Sequence, residues 1–417
     1  MIGCLAHTSY SLEKAPSEPF NQHFCIITKP QDEAWPYDWS RVGANQTENG
    51  ITKIEKANSE RELLSLFLTK IQKLDPDVII GHDIINFDIE VLVHRMMQNK
   101  IAHWSRLGRL RRSNHPGMKH ASKDATVGRL VCDLKISAKE LIRCKSYELG
   151  ALVEKCLQEG EEDKRMILTP ESLRKSYSSS EELKGNIVLC MRDADQTLRI
   201  VSDLNALPLA LQISQIVGTV MSKTLRGGRA ERIEYLLLHA FTSLDYIVPD
   251  KHYGKRKVEH DEDGEETQGS SKRKKASYAG GLVLDPKKGF YDTYILLLDF
   301  NSLYPSIIQE YNICFTTVDR TPVKSGDGDM VLPNLPEPTV SPGVLPTQIK
   351  KLVESRRNVK DMLKKDKLTE AQRQQLNIRQ LALKLTANSM YGCLGFSFSR
   401  YYSLNLLSFK PIKKFKD

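Results

Sequence analysis

Between Tyr294 and Ile308 an apolar run, Ile295 to Leu298, ends on a carboxylate, Asp299, and passes through a polar turn at Asn301 and Ser302 to Pro305. An apolar run this short predicts a buried strand. Pro305 predicts a helix start, where its missing N–H costs nothing. An acid at a strand's end beside a helix N-terminus suits hard cations and phosphates. The carboxylate takes a metal, and the backbone N–H groups of Ser302, Leu303 and Tyr304 face an anion. Asp299 is equally readable as a cap on the helix, because Asp is a favoured N-cap residue.

The chain around this stretch has 417 residues, 40% of them hydrophobic, enough for about two to four domains with real cores. Its net charge of +9 is compatible with a polyanionic partner. The eight cysteines are scattered without Cys-x-x-Cys spacing, so neither a zinc site nor a disulfide framework is expected and the thiols should be reduced. No apolar run approaches the roughly 18 residues that span a bilayer, so no membrane association is expected. Met1 to Ala6 is too short for a secretory signal.

Residues 1–248 predict an α/β domain. Phe24 to Thr28 is strand-like, and Leu63, Leu64, Phe67, Leu68 and Ile71 form a helical stripe over Glu60 to Leu74. Asp77 to Gly81 predicts a second strand, and His82 to Leu92 turns from it into a helix. His82 is read as a loop hydrogen-bonding residue rather than a ligand. Seven bases (Arg106, Arg109, Arg111, Arg112, Lys119, Lys123 and Arg129) make either a face for a nucleic-acid backbone or a solvated loop. Residues 249–275 alternate basic and acidic blocks, cannot bury a core and are expected to be a disordered linker. The clusters at Lys255–Lys257 and Lys272–Lys275 fit either a nuclear import signal, with the nucleus as the expected location, or a solvated insertion. Tyr278 and the paired Gly280 and Gly281 let backbone approach a phosphate, or make a plain turn.

Beyond a Pro- and Gly-rich loop at 321–346, Gln348 to Lys364 predicts an amphipathic helix carrying Arg356 and Lys360 one turn apart. Glu370 to Tyr391 predicts a second, on which Lys384, Asn388 and Tyr391 share a face. Two such helices offering cations to one gap would clamp a triphosphate.

The string from Asp299 to Ile308 closely resembles motif A of the family B DNA polymerases. The string from Lys384 to Phe396 is similar to their motif B, and the Arg356 helix stands between the two. The resemblance implies a multidomain α/β and α+β fold: a ribonuclease-H-like exonuclease-type domain over 1–248, a truncated palm over 276–346, a helical-hairpin fingers domain over 347–391, and a return towards the palm with a divergent tail over 392–417. It implies a replicative, primer-extending DNA-directed DNA polymerase using two Mg2+ ions. Asp299 is its catalytic and metal-binding acid, with the Phe300 carbonyl as a further ligand, and Tyr304 lies under the incoming sugar to exclude a 2′-OH. Arg356, Lys360 and Lys384 take the phosphates, Asn388 sits beside the triphosphate, and Tyr391 and Gly392 shape the nascent base pair. Tyr278, Gly280 and Gly281 touch the template. The implied partners are a DNA template with an RNA or DNA primer, deoxynucleoside triphosphates, and primase with accessory subunits.

The exonuclease side resembles the family only in part. Asp88 stands at the acid of the second exonuclease motif and Asp193 at that of the third, but Leu189 occupies the place of the third motif's Tyr. The first motif's Asp-x-Glu, on the opening strand, would lie before residue 1. A two-metal hydrolase needs its carboxylates together, so the domain is expected to be an exonuclease scaffold without the reaction. A Tyr-Gly-Asp-Thr-Asp motif, which supplies the second polymerase acid in the family, is not found. Residues 1–417 alone are therefore expected not to polymerise; the alternative reading is a non-catalytic nucleotide- and DNA-binding fragment.

Overall fold

A computed structural model describes residues 1–8, 22–42, 52–116, 121–157, 169–250, 285–298, 302–318, 334–365, 368–395 and 399–401. Asp299, Phe300, Tyr278, Gly280, Gly281 and the charged stretch at 251–275 lie outside them. The chain divides into two compact units: Met1–Ser214 with Val220–Gly228 and Thr369–Ile378, and Gln215–Thr219 with Arg229–Leu368 and Arg379–Asp417.

The first unit opens on β1 (Ile2–Ala6), antiparallel to β2 (Gln22–Thr28), which is parallel to β3 (Lys53–Ala57). Side chains along β2 alternate between two cores. Phe24 and Ile26 meet Leu63, Leu64 and Phe67 from α1 (Glu60–Leu74). Cys25 and Ile27 meet Trp39, Leu183 and Ile187 on the other face. Helix α1 follows its apolar stripe: all five predicted residues are buried. Its start is set by Ser59, whose hydroxyl accepts from the Glu62 N–H at 3.2 Å, while the Glu62 carboxylate accepts from the Asn58 N–H at 2.8 Å. The Ser59 hydroxyl thereby satisfies one donor the helix itself leaves open, and the Glu62 carboxylate holds the residue before the cap to the first turn.

Strand β4 (Val78–Gly81) leads through a π turn, Ile84–Asp88, into α2 (Ile89–Gln98). It pairs in parallel with β5 (Leu130–Asp133). Helices α3 (Leu134–Leu141), α4 (Leu149–Leu157) and α5 (Ser180–Asp203) follow. Leu134, Leu149, Leu152, Ile200 and Val201 build a third core. All eight cysteines lie among the described residues, and none is paired in a disulfide. Among the described residues no single helix is long and apolar enough to cross a membrane.

The second unit contains α6 (Arg229–Thr242), α7 (Leu303–Glu310), α8 (Val344–Leu363) and the latter part of α9 (Glu370–Leu394). Ile308 of α7, Ile349 and Leu352 of α8, and Ala387, Met390 and Leu394 of α9 are buried. Asn312 fastens the segment leading into α8: its side chain donates to the Val340 and Ser341 carbonyls at 3.2 and 3.1 Å and accepts from the Gly343 N–H at 2.8 Å. Gly343 has to be glycine, because a Cβ there would run into the Cys314 side chain. Glu234, buried on α6, pairs with Arg400 at 2.7 Å.

One expectation fails. Ile295 to Leu298 form no strand, and each is more than two-thirds exposed, at 71, 83, 87 and 83%. Apolar content does not make a strand; a strand exists by pairing its backbone groups with another. Among the described residues nothing pairs with this run. Pro305 also sits two residues later than a helix-opening position. It is the third residue of α7, still within the first turn, where an N–H has no intrahelical acceptor.

Candidate functional site

Helix α7 starts at Ser302, whose backbone lies in the left-handed region at φ 60° and ψ 54°. That conformation turns the chain abruptly from the preceding segment into the helix. By helix geometry the N–H groups of Leu303 and Tyr304 have no intrahelical acceptor, and Pro305 has none to offer, so the turn suits an anion. Pro305 and Ile308 are buried and fix α7 against its unit, while Tyr304 remains 39% exposed.

The Tyr304 ring stacks on Tyr391 of α9, with ring centroids 4.1 Å apart and planes 12° apart. This contact joins the two motifs, which lie far apart in sequence. Lys384 and Asn388, two turns and one turn before Tyr391 on α9, are exposed, and Gly392 just after it has no atom within 4 Å of a notional Cβ. On α8, Arg356 is half-buried and its Nε donates to Gln380 Oε1 of α9 at 3.3 Å; Lys360, one turn on, is exposed. The structure thus brings Tyr304 to Tyr391, and Arg356 to the α9 turn preceding Lys384. Gln380 drew no attention in the sequence, since a Gln on a polar helix face carries no signal of its own.

In the first unit, Asp88 closes the π turn and Asp193 lies in α5. Desolvation, with Asp133 and Asp83 adding to it and His82 opposing, pushes the Asp88 carboxyl above the ordinary carboxylate range. The residue is exposed overall, so water screens this effect and no stability is assigned to it. His82 bonds the Tyr147 carbonyl at 2.8 Å, the loop role expected of it. Lys135 bridges Asp83 and Glu148 at 3.0 and 2.9 Å. The hydrogen bonds it donates to Glu148 and then to Asp83 raise its pKa. Among the described residues no group of three or more His, Cys, Asp or Glu side chains is arranged to hold a metal ion.

The residue that sequence reasoning missed is Asp133. It is fully buried at the end of β5, and its carboxylate accepts from the N–H groups of Asp83, Ile85, Lys135 and Ile136. It caps α3 and ties the turn after β4 to β5. The available signal was an Asp just ahead of a helical pattern.

The basic stretch divides. Arg129 is buried, with Nη1 2.7 Å from Asp75 and Nε donating to the Leu107 carbonyl. Arg109 pairs with Asp75 and Asp77, and Arg112 with Asp124. Arg106, Arg111 and Lys123 are exposed, and Lys119 lies outside the described residues. Three of the seven bases are thus held in ion pairs within the unit.

Comparison with known proteins bears on both units. Residues 219–408 match the family described as DNA polymerase family B, and residues 1–152 match its exonuclease domain. The DNA polymerase alpha catalytic subunit of Xenopus laevis is 51% identical over 414 residues, covering 96% of this chain and 28% of that protein. The mouse (Mus musculus) protein of the same name is 48% identical, with 99% and 29% covered. The Drosophila melanogaster protein is 45% identical, with 97% and 27% covered. The chain therefore spans under a third of the length of these relatives. The family B DNA polymerase of the archaeon Pyrobaculum calidifontis is similar in fold, with a TM-score of 0.62 at 24% identity over 84% of this chain and 43% of that one.

Proposed function

This chain belongs to DNA polymerase family B, and on that premise we propose that it supplies the nucleotide-selecting part of a DNA-directed DNA polymerase. The reaction is attack of a primer 3′-OH on the α-phosphate of a deoxynucleoside triphosphate, directed by a DNA template. The Tyr304–Tyr391 stack carries this reading, because it puts a flat ring from one motif against the helix face that bears Asn388 and Lys384.

In this reading Tyr304 lies beneath the sugar, where a ring rejects one extra oxygen by sterics. Arg356, Lys360 and Lys384 take the triphosphate by charge-assisted hydrogen bonds, with Asn388 beside it. The N–H groups at the start of α7 add donors that need no reorganisation during the reaction. Tyr391 and Gly392 border the nascent pair, and Tyr278, Gly280 and Gly281 border the template. Asp299, with the Phe300 carbonyl, is the part of a two-magnesium site that this sequence contributes. Magnesium, when bound, neutralises charge on the transferring phosphate. The second unit reads as palm and fingers, and the first as a ribonuclease-H-like exonuclease scaffold without nuclease activity. Primer-bearing DNA, primase and accessory subunits are the proposed partners, and the nucleus the proposed location.

The test uses a full-length polymerase carrying these residues. Asp299→Asn should abolish extension of a labelled primer while leaving the protein folded. Template-dependent extension at the unaltered rate in that variant would refute the assignment.

A further inference from the structure

We propose that Tyr391 is a positioning residue for sugar selection: it holds the Tyr304 ring rigid, so that the chain discriminates against ribonucleotides with a stacked pair rather than a single ring. This rests on the reading of Tyr304 given above.

A ring rejects a 2′-OH only if displacing the ring costs more than admitting the oxygen. Tyr304 is poorly placed to be stiff by itself. It is the second residue of an eight-residue helix, and it is 39% exposed, while the buried contacts of α7 are made by Pro305 and Ile308 instead. An exposed Tyr on a first turn has more than one rotamer open to it. Tyr391 stands on different ground. It sits late in the 25-residue α9 and is half-buried, flanked by Ala387, Met390 and Leu394, which are 6, 0 and 0% exposed. Its ring lies nearly parallel to that of Tyr304 at 4.1 Å, close to van der Waals contact over a whole face. Rotation of Tyr304 about either side-chain bond breaks that contact. The rigidity of the long, buried helix is thereby passed to the exposed ring.

The energy of such a pair beyond its burial corresponds to a factor of about two to ten in an equilibrium. Removing it should therefore lower discrimination by about two- to tenfold without abolishing it. The phenyl ring alone makes the stack, so the hydroxyl of Tyr391 should not matter.

The experiment measures rCTP against dCTP as the ratio of kcat/KM values, in the full-length polymerase carrying these residues. A ratio cancels general losses of folding or extension rate, so a purely structural defect does not move it. Tyr304→Ala is the control and should raise relative ribonucleotide use most. Tyr391→Leu should raise it by about two- to tenfold, whereas Tyr391→Phe should keep the unaltered ratio. If Tyr391→Leu yields no measurable extension, Tyr391→Met, which is unbranched and adaptable, carries the same comparison. An unchanged ratio in the Leu or Met variant, with Tyr304→Ala relaxed, overturns the buttress and leaves Tyr304 as a lone gate. So does relaxation by Tyr391→Phe equal to that of the Leu variant, since stacking would then not be the cause. An unchanged ratio in Tyr304→Ala defeats the reading of Tyr304 itself, and the inference with it.

Discussion

Replacing Asp133 by Ala should be among the most damaging single changes in the first unit, although its neighbourhood offers no motif. Its carboxylate accepts backbone N–H groups from Asp83 and Ile85, both at 3.2 Å, and from Lys135 at 2.9 Å and Ile136 at 3.3 Å. The last two are the first turn of α3, and losing a cap of this kind costs about 1 kcal/mol. The first two belong to the turn between β4 and α2. Asp133 is 0% exposed, so these donors lose their acceptor where water does not readily replace it, at about 1–3 kcal/mol each. Together the loss is about 3–7 kcal/mol, a size reserved for specific structural failures. Asp133→Asn is the discriminating partner. Its remaining oxygen can serve Asp83, Lys135 and Ile136, while the bond from Ile85 to Oδ2 is lost, for about 1–2 kcal/mol. The assay is urea denaturation of the whole chain followed by tryptophan fluorescence. The three tryptophans, Trp35, Trp39 and Trp104, all lie in the first unit, so the signal reports that unit alone. A loss below about 1 kcal/mol for Asp133→Ala would refute the reasoning from unmet donors, as would equal losses for the Ala and Asn variants.

Two further outcomes are expected. The purified chain should not degrade single-stranded DNA in the 3′-to-5′ direction with magnesium or manganese, since Leu189 stands where the third exonuclease motif has its Tyr; digestion that disappears with Asp88→Ala would defeat this. Arg95 bonds both oxygens of Glu60, and those bonds hold the Glu60 carboxyl below the usual carboxylate range. A depressed pKa contributes stability above the unfolded value near 4.3 and loses it as pH falls through the folded value. Glu60→Gln should therefore cost about 0.5 kcal/mol at pH 7, the size of a solvent-screened pair, and nothing near pH 3. An equal deficit at both pH values in urea titrations would rule the pair out as its cause.

What the sequence determined by itself is local. The stripe of α1 and the long helices carrying Arg356 and Lys384 were legible because helix contacts recur at three and four residues, within reach of a short window. The motif strings carried the family for the same reason, being contiguous. His82 was also read correctly, as a loop hydrogen bond.

What only the tertiary structure decided is non-local. Ile295 to Leu298 have the composition of a strand, but pairing depends on a distant segment that a window cannot see. Asp133 looked like an ordinary residue until folding brought two separate stretches of N–H groups to its oxygens. Arg109 and Arg129 looked available to a polyanion, but the fold pairs them with Asp75, more than thirty residues from the nearer of them on the map of the chain. The stack of Tyr304 on Tyr391 likewise arises from burial of the apolar faces of α7 and α9, which fixes how those helices present their exposed rings. Burial and pairing depend on the whole chain at once, and there the local pattern stops informing.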